Sequence, residues 1–164
     1  MNKETNFFIS PKATIGHVHL KVSNLGVSIK FYNEILGFQI MTAIDGAVFL
    51  SAGGYHHHIG LNTWESAHGN PPLKGSTGLY HFAILVPNRK ELAKILKRLI
   101  NKKWPIEGAS DHGVSEAIYL SDPDGNGIEI YYDRPKDKWK YDSRGNIIMY
   151  TIPLDVDNLL KEIK

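Results

Sequence analysis

The chain has no cysteine among its 164 residues. Disulfide cross-links, thiolate metal sites and a cysteine nucleophile are therefore excluded. It also has no run of lysine or arginine. Its 19 basic and 17 acidic residues are intermixed, and a net charge of +2 leaves no basic footprint for nucleic acid or an anionic membrane. No stretch approaches the ~20 apolar residues that span a bilayer, and Met1 to Thr14 is polar, without an apolar signal core. These absences lead us to expect a cytoplasmic protein whose partner is a small molecule, with no nucleic acid and no membrane. In excess are histidine and tyrosine, eight of each. Three of the histidines, His56-His57-His58, are consecutive, too few and too internal for a purification tag.

The length suits a single domain able to bury a substantial core. Residues 1–14 read as a lead-in. Ile15 to Val22 is rich in β-branched residues and alternates as a strand does, with His17, His19 and Lys21 on one face and Val18, Leu20 and Val22 on the other. Ser23-Asn24 can cap a helix carrying Ile29, Phe31, Tyr32, Ile35 and Leu36, with Gly37 as its stop. Phe38 to Ala43, Ala47 to Ser51 and Tyr55 to Asn62 read as three more strands, the first two joined by an Asp45-Gly46 hairpin turn. The order β-α-β-β-β then repeats after a Gly- and Pro-rich linker, residues 67–76. Its second copy has a strand over Gly78 to Val86 and a helix capped by Asn88 with Glu91, buried along Leu92, Ile95, Leu96 and Leu99. A short strand starts at Trp104-Pro105-Ile106, and strands at Ser115 to Leu120 and Gly127 to Tyr132 follow.

This is an internal repeat of about 60 residues. The expected class is α+β, with two βαβββ modules (15–66 and 77–133) in one domain over 15–133. A C-terminal extension, 134–164, holds a short helix over Asp157 to Ile163.

The stretch Ser121 to Tyr132 frames the chemistry. Asp122-Pro-Asp-Gly125 is a type I turn with Pro123 at its second position. Asp122-x-Asp124-x-Asn126-Gly127 imitates the start of an EF-hand loop, but Pro123, Asp133 at the twelfth position and strand flanks exclude it. Glu129 shares a strand face with Tyr131, while Ile128 and Ile130 share the other. A carboxylate in such a strand needs a partner, and Lys21 and Arg98 are ordinary candidates.

The repeat offers another partner. It puts a histidine at the first strand of each half, His17 and His81, and at the last strands His58 and Glu129. If the halves converge on one cavity, these four residues make a site for a divalent transition metal. Two histidines and a carboxylate with open positions suit non-haem Fe(II). His112 and Tyr119 are candidates for acid/base work and for donating a hydrogen bond to a substrate oxygen. His19, His56 and Tyr131 have the parity to face the same cavity as outer groups or substrate contacts. His57 has the opposite parity and is expected to point away.

As a set these motifs resemble the vicinal oxygen chelate superfamily, which includes glyoxalase I, fosfomycin and bleomycin resistance proteins and extradiol dioxygenases. The resemblance covers residues ~15 to 133. It is carried by Gly16-His17-Val-His-Leu-Lys-Val, Phe31-Tyr32-Asn-Glu-Ile-Leu-Gly37-Phe38, Leu79-Tyr-His81-Phe-Ala-Ile and Leu120-Ser-Asp-Pro-Asp-Gly-Asn-Gly-Ile-Glu129. It implies paired modules curled around a metal, with His17, His81 and Glu129 at ligand positions. His58 stands where glyoxalase I enzymes carry a carboxylate.

His56-His-His-Ile-Gly-Leu-Asn-Thr-Trp64 and Asp111-His112-Gly-Val-Ser-Glu-Ala-Ile-Tyr119 resemble the catechol 2,3-dioxygenase branch. Members of that branch usually have four modules, with the working metal in the second pair. This chain has two, looks most like the first pair, and keeps the ligands. The resemblance implies a metal-dependent enzyme, dioxygenase-like, that binds a small substrate through vicinal oxygens. The alternatives are a glyoxalase-like lyase, isomerase or thiol transferase using Zn²⁺, Mn²⁺ or Ni²⁺, and a resistance-type protein that sequesters its ligand. The modules can pair within one chain or across a homodimer.

Overall fold

A computed structural model describes residues 6–164. The first module runs from strand β1 (Val18–Lys21) into helix α1 (Leu25–Ile29), which widens into a π-helical segment over Lys30–Ile35. Strands β2 (Gln39–Ile44), β3 (Ala47–Ser51) and β4 (Ile59–Asn62) follow. The second module repeats the order with β5 (Phe82–Leu85), helix α2 (Arg89–Asn101), β6 (Gly108–Asp111), β7 (Ser115–Ser121) and β8 (Gly127–Asp133). The sheets have the orders β1-β4-β3-β2 and β5-β8-β7-β6, and β9 (Ile152–Pro153) joins the second at its β6 edge. In each module the first and last strands lie side by side in parallel. No helix among the described residues is long and apolar enough to cross a membrane.

Local chemistry sets the ends of these elements. The Asn24 side chain accepts a hydrogen bond from the Val27 amide at 3.1 Å and Asn88 accepts one from Glu91 at 3.0 Å, so both main helices begin at the expected caps. Ile44 pairs with Ala47 across the two-residue Asp45-Gly46 loop, where Gly46 takes φ +70°. Alternate strand residues then point to one core. Leu20, Leu50 and Leu61 come from the first sheet and Ile118, Ile128 and Ile130 from the second. Helical Phe31, Tyr32, Leu92, Leu96 and Leu99 cover them.

The modules meet through helices and a turn. Phe31 lies 4.6 Å from the Trp104 ring, the Tyr32 hydroxyl donates to Asp122 at 2.9 Å, and the Ser23 amide donates to Asp124 at 3.1 Å. Arg98 donates to the carbonyls of Glu34 and Ile35. The sheet faces opposite the shared core therefore carry His17, His19 and Lys21 in one module, and His81, Glu129 and Tyr131 in the other.

Strands β1 and β5 start at Val18 rather than Ile15 and at Phe82 rather than Gly78, so His17 and His81, expected on these strands, lie just ahead of them. Other elements differ as well. Strand β4 starts at Ile59 rather than Tyr55, because Gly53 and Gly54 take φ +70° and +79° and a loop follows them. The sixth strand starts at Gly108 rather than Trp104. Trp104 instead packs on Phe31, and its indole N–H donates to the Ser121 carbonyl at 3.0 Å. The C-terminal helix α3 (Val156–Leu160) is capped by Asp155 and passes into a 3₁₀ turn over Lys161–Ile163.

The segment beyond residue 133 is fastened to the second module. Glu116, with a side chain 6% exposed, accepts from both Arg89 and Arg134. Arg89 also reaches Glu162 and Asn158, and Arg134 reaches Asp111. A buried carboxylate needs such partners, since leaving it unpaired is strongly unfavourable.

Candidate metal centre and substrate cavity

The second sheet assembles most of the candidate site. In its register Ala83, Glu129, Tyr119 and Gly108 lie in one row across four strands. His81 precedes β5 on the same side. Its approach depends on Gly127: a Cβ there would sit 2.3 Å from the Tyr80 carbonyl oxygen and 3.1 Å from the His81 Cβ. His81 Nε2 comes within 3.0 Å of Glu129 Oε2, and the Glu129 side chain is 14% exposed. This pairing answers where the carboxylate finds its partner. The other candidates are occupied elsewhere, Lys21 with Glu65 and Arg98 with two backbone carbonyls.

A polar chain continues outward. The Tyr119 hydroxyl stands 3.1 Å from Glu129 Oε1 and 2.6 Å from His112 Nε2. His112 Nδ1 lies 3.0 Å from the Tyr150 carbonyl oxygen and 3.2 Å from Thr151 Oγ1. A cavity of about 580 Å³ opens beside this chain, with Tyr80, His81, Ser110, His112, Tyr119 and Thr151 in its wall. Burial, then the Glu129 charge and the hydrogen bond to it, push the Tyr119 hydroxyl up to about 12. It stays protonated at neutral pH and can donate. Burial, helped by Asp133 and Glu129, raises Tyr131 as well.

The first sheet carries a separate histidine cluster. The His17 ring is 4.4 Å from that of His57, and His56 Nδ1 is 2.7 Å from His57 Nδ1. The expectation that His57 points away is thus corrected. Residues 55–58 lie in a loop, where strand parity does not apply. Burial and the neighbouring imidazoles, His17 first, lower its basicity. His58 turns to Ser51, with Nδ1 2.9 Å from the Ser51 Oγ, and packs on Tyr55. His19 lies flat over Gly60 between Phe49 and Trp64, and a Cβ at Gly60 would touch its ring at 2.9 Å.

Among the described residues no three His, Asp or Glu side chains come together as a metal-ligand group. The expected convergence of His17, His58, His81 and Glu129 is therefore not formed within one chain. Because the modules join through α1, α2 and the Asp122–Gly125 turn, each ligand-bearing face stays with its own sheet. The donor chemistry of each face suits a divalent metal, but within one chain the two faces stay apart.

The Glyoxalase/Bleomycin resistance protein/Dioxygenase superfamily model matches residues 14–130. The chain belongs to this superfamily. A catechol-2,3-dioxygenase of Bacillus subtilis is 47% identical over 148 residues, 90% of this chain and 51% of that protein. The chain thus spans about half that relative's length. Virulence protein STM3117 of Salmonella typhimurium is 32% identical over 71% of this chain and 81% of its own, and its crystal structure superposes with TM-score 0.56. A lactoylglutathione lyase of Neisseria meningitidis is 27% identical over 74% of this chain and 91% of its own. A glyoxalase/dioxygenase structure from Nostoc punctiforme has TM-score 0.63 at 20% identity, covering 80% of this chain and all of that one. Named relatives in the superfamily include both dioxygenases and lyases.

Sequence reasoning missed four contributors to the site: His57, Gly127, Tyr150 and Thr151. A signal existed only for Gly127, since a glycine opening a strand marks close backbone approach. Tyr150 and Thr151 sit nearly forty residues from His112 and show no periodic relation to it.

Proposed function

We propose that this superfamily member is a metal-dependent enzyme of extradiol dioxygenase type. It takes a small substrate with two adjacent oxygens, and a second copy of the chain completes its metal site. The carrying observation is the polar chain His81–Glu129–Tyr119–His112 beside the cavity. His81 and Glu129 form the edge that would hold the metal, with His17 from the other type of half-site as the third ligand. Two histidines and one carboxylate favour Fe(II) over Zn²⁺, Mn²⁺ or Ni²⁺. The metal would supply Lewis acidity toward the substrate's hydroxyl. This chain's own part is to donate from Tyr119 to a substrate oxygen and to accept or return a proton at His112.

Two features support completion by a second copy. The histidine-bearing half and the carboxylate-bearing half occur once each per chain, and a two-fold dimer that joins them once joins them twice. Apolar side chains beside both faces are exposed: Ile40, Met41 and Ile44 on β2, and Leu85 on β5.

The test is anaerobic loading with Fe(II), followed by a panel of catechols in air. A coloured ring-cleavage product is expected. Its absence across the panel, together with oxygen-independent turnover of a methylglyoxal–thiol adduct, would replace this reading by a glyoxalase-like one.

A further inference from the structure

His112 is held from behind by a part of the chain that lies outside the superfamily match, which ends at residue 130. The Tyr150 carbonyl oxygen is 3.0 Å from His112 Nδ1, and Thr151 Oγ1 is 3.2 Å from it. A carbonyl oxygen can only accept, so the 3.0 Å contact is a hydrogen bond when Nδ1 carries the proton, and the Thr151 hydroxyl can accept beside it. In the neutral ring Nε2 is then the lone-pair nitrogen, and at 2.6 Å it is an alternative acceptor for the single Tyr119 proton, which otherwise goes to Glu129 Oε1 at 3.1 Å.

The strap that supplies these groups is fixed along its length. The Tyr150 amide donates to the His112 carbonyl at 3.3 Å, Ser110 and Asp111 pair with Pro153 and Ile152, and the Leu154 amide donates to Ala109 at 3.1 Å. The Tyr150 ring lies on Gly113, where a Cβ would meet it at 2.7 Å and where φ is +79°. Only a glycine leaves room for that contact. Further on, Arg89 binds Glu162 and Asn158 of the terminal turns.

We propose that the Tyr150–Thr151 strap is the positioning device for His112. It fixes the proton on Nδ1, aims Nε2 at the Tyr119 hydroxyl in the cavity wall, and makes Thr151 a positioning residue. The assignment deepens the enzymatic reading and rests on it for its use, but the tautomer can be observed without turnover. β9 pairs with β6 directly ahead of His112, so the strap and the acid/base group are anchored to the same strand.

The experiment is a long-range ¹H–¹⁵N imidazole spectrum of the full metal-free chain near neutral pH, with His112→Gln identifying the signals. The expected result is an Nδ1-protonated His112 whose Hδ1 exchanges slowly with solvent. A Tyr150→Ala/Thr151→Val double variant takes away the Thr151 hydroxyl and the ring packed on Gly113 that keeps the Tyr150 carbonyl in place; it should shift His112 to the tautomer mixture of a solvated imidazole, and Thr151→Ser should keep the wild-type pattern. In catechol cleavage the double variant is expected to lose about tenfold in kcat with little change in KM. A wild-type His112 protonated on Nε2 overturns the proposal, as does an unchanged tautomer in a folded double variant. If the double variant fails to fold, the wild-type tautomer and the Thr151→Ser comparison decide. A wild type that turns over no catechol but shows the expected tautomer sinks the dioxygenase reading and leaves the positioning role standing.

Discussion

Replacing Tyr32 by Phe tests the joint that aims the Glu129 strand. Tyr32 is fully buried and Asp122 is 5% exposed, and the hydroxyl donates to the carboxylate at 2.9 Å. Asp122 also accepts from the Asp124 amide at 2.9 Å, the Asn126 amide at 2.8 Å and the Asn126 side chain at 2.9 Å. In Tyr32→Phe the carboxylate keeps three donors, so the loss is one hydrogen bond to a charged group, ~1.5–3 kcal/mol. At this chain length ~2 kcal/mol lowers Tm by about 4–8 °C. Asp122→Ala removes four acceptor contacts, opens the turn and strands the buried Tyr32 hydroxyl, so its cost should reach ~3–5 kcal/mol. Urea unfolding followed by circular dichroism, with an unchanged m-value, measures both. The reasoning fails if Tyr32→Phe stays within about 0.5 kcal/mol of wild type, or if Asp122→Ala costs less than Tyr32→Phe.

Gly127→Ala should push the Tyr80–His81 backbone off β8, because the added methyl would sit 2.3 Å from a carbonyl oxygen. Calorimetric titration with a divalent metal should show weakened binding, alongside a stability loss of ~1–3 kcal/mol. In the metal-free protein, Tyr119 should titrate at about 12 rather than at the 10.0 of a free tyrosine when followed by ultraviolet absorbance. Its folded-state pKa is raised. The stability it contributes is therefore whole below the unfolded value and is lost as pH climbs between 10.0 and about 12. Tyr119→Phe should flatten that part of the stability profile.

The elements that could be read from the sequence are those where side-chain periodicity runs unbroken. Ile128 and Ile130 against Glu129 and Tyr131 follow strand parity through all of β8, and the structure buries the first pair. Asn24 and Asn88 cap their helices because capping is settled within three residues. His57 departs from strand parity because residues 55–58 are loop, between the Gly53-Gly54 turn and the start of β4 at Ile59. The four expected ligands failed to converge for a different reason. Their convergence depends on how the modules are docked, and docking is set by Phe31, Trp104, Tyr32 and Asp122, whose mutual contacts leave no periodic trace. The same holds for the Arg89–Glu116–Arg134 network and for the strap behind His112, which join residues far apart in the chain.

Metal content in a mixing experiment tests the central claim most directly. His17→Ala and Glu129→Ala chains are purified separately, co-refolded in equal amounts, and loaded with Fe(II) beside the wild type. The account predicts one ion per wild-type chain, little in either variant alone, and about a quarter of wild-type occupancy in the mixture, because each mixed dimer holds one undamaged composite site. No recovery in the mixture, with dimers present and the wild type fully loaded, would contradict a site shared between two copies. A wild type that takes up no metal would contradict the metal centre itself.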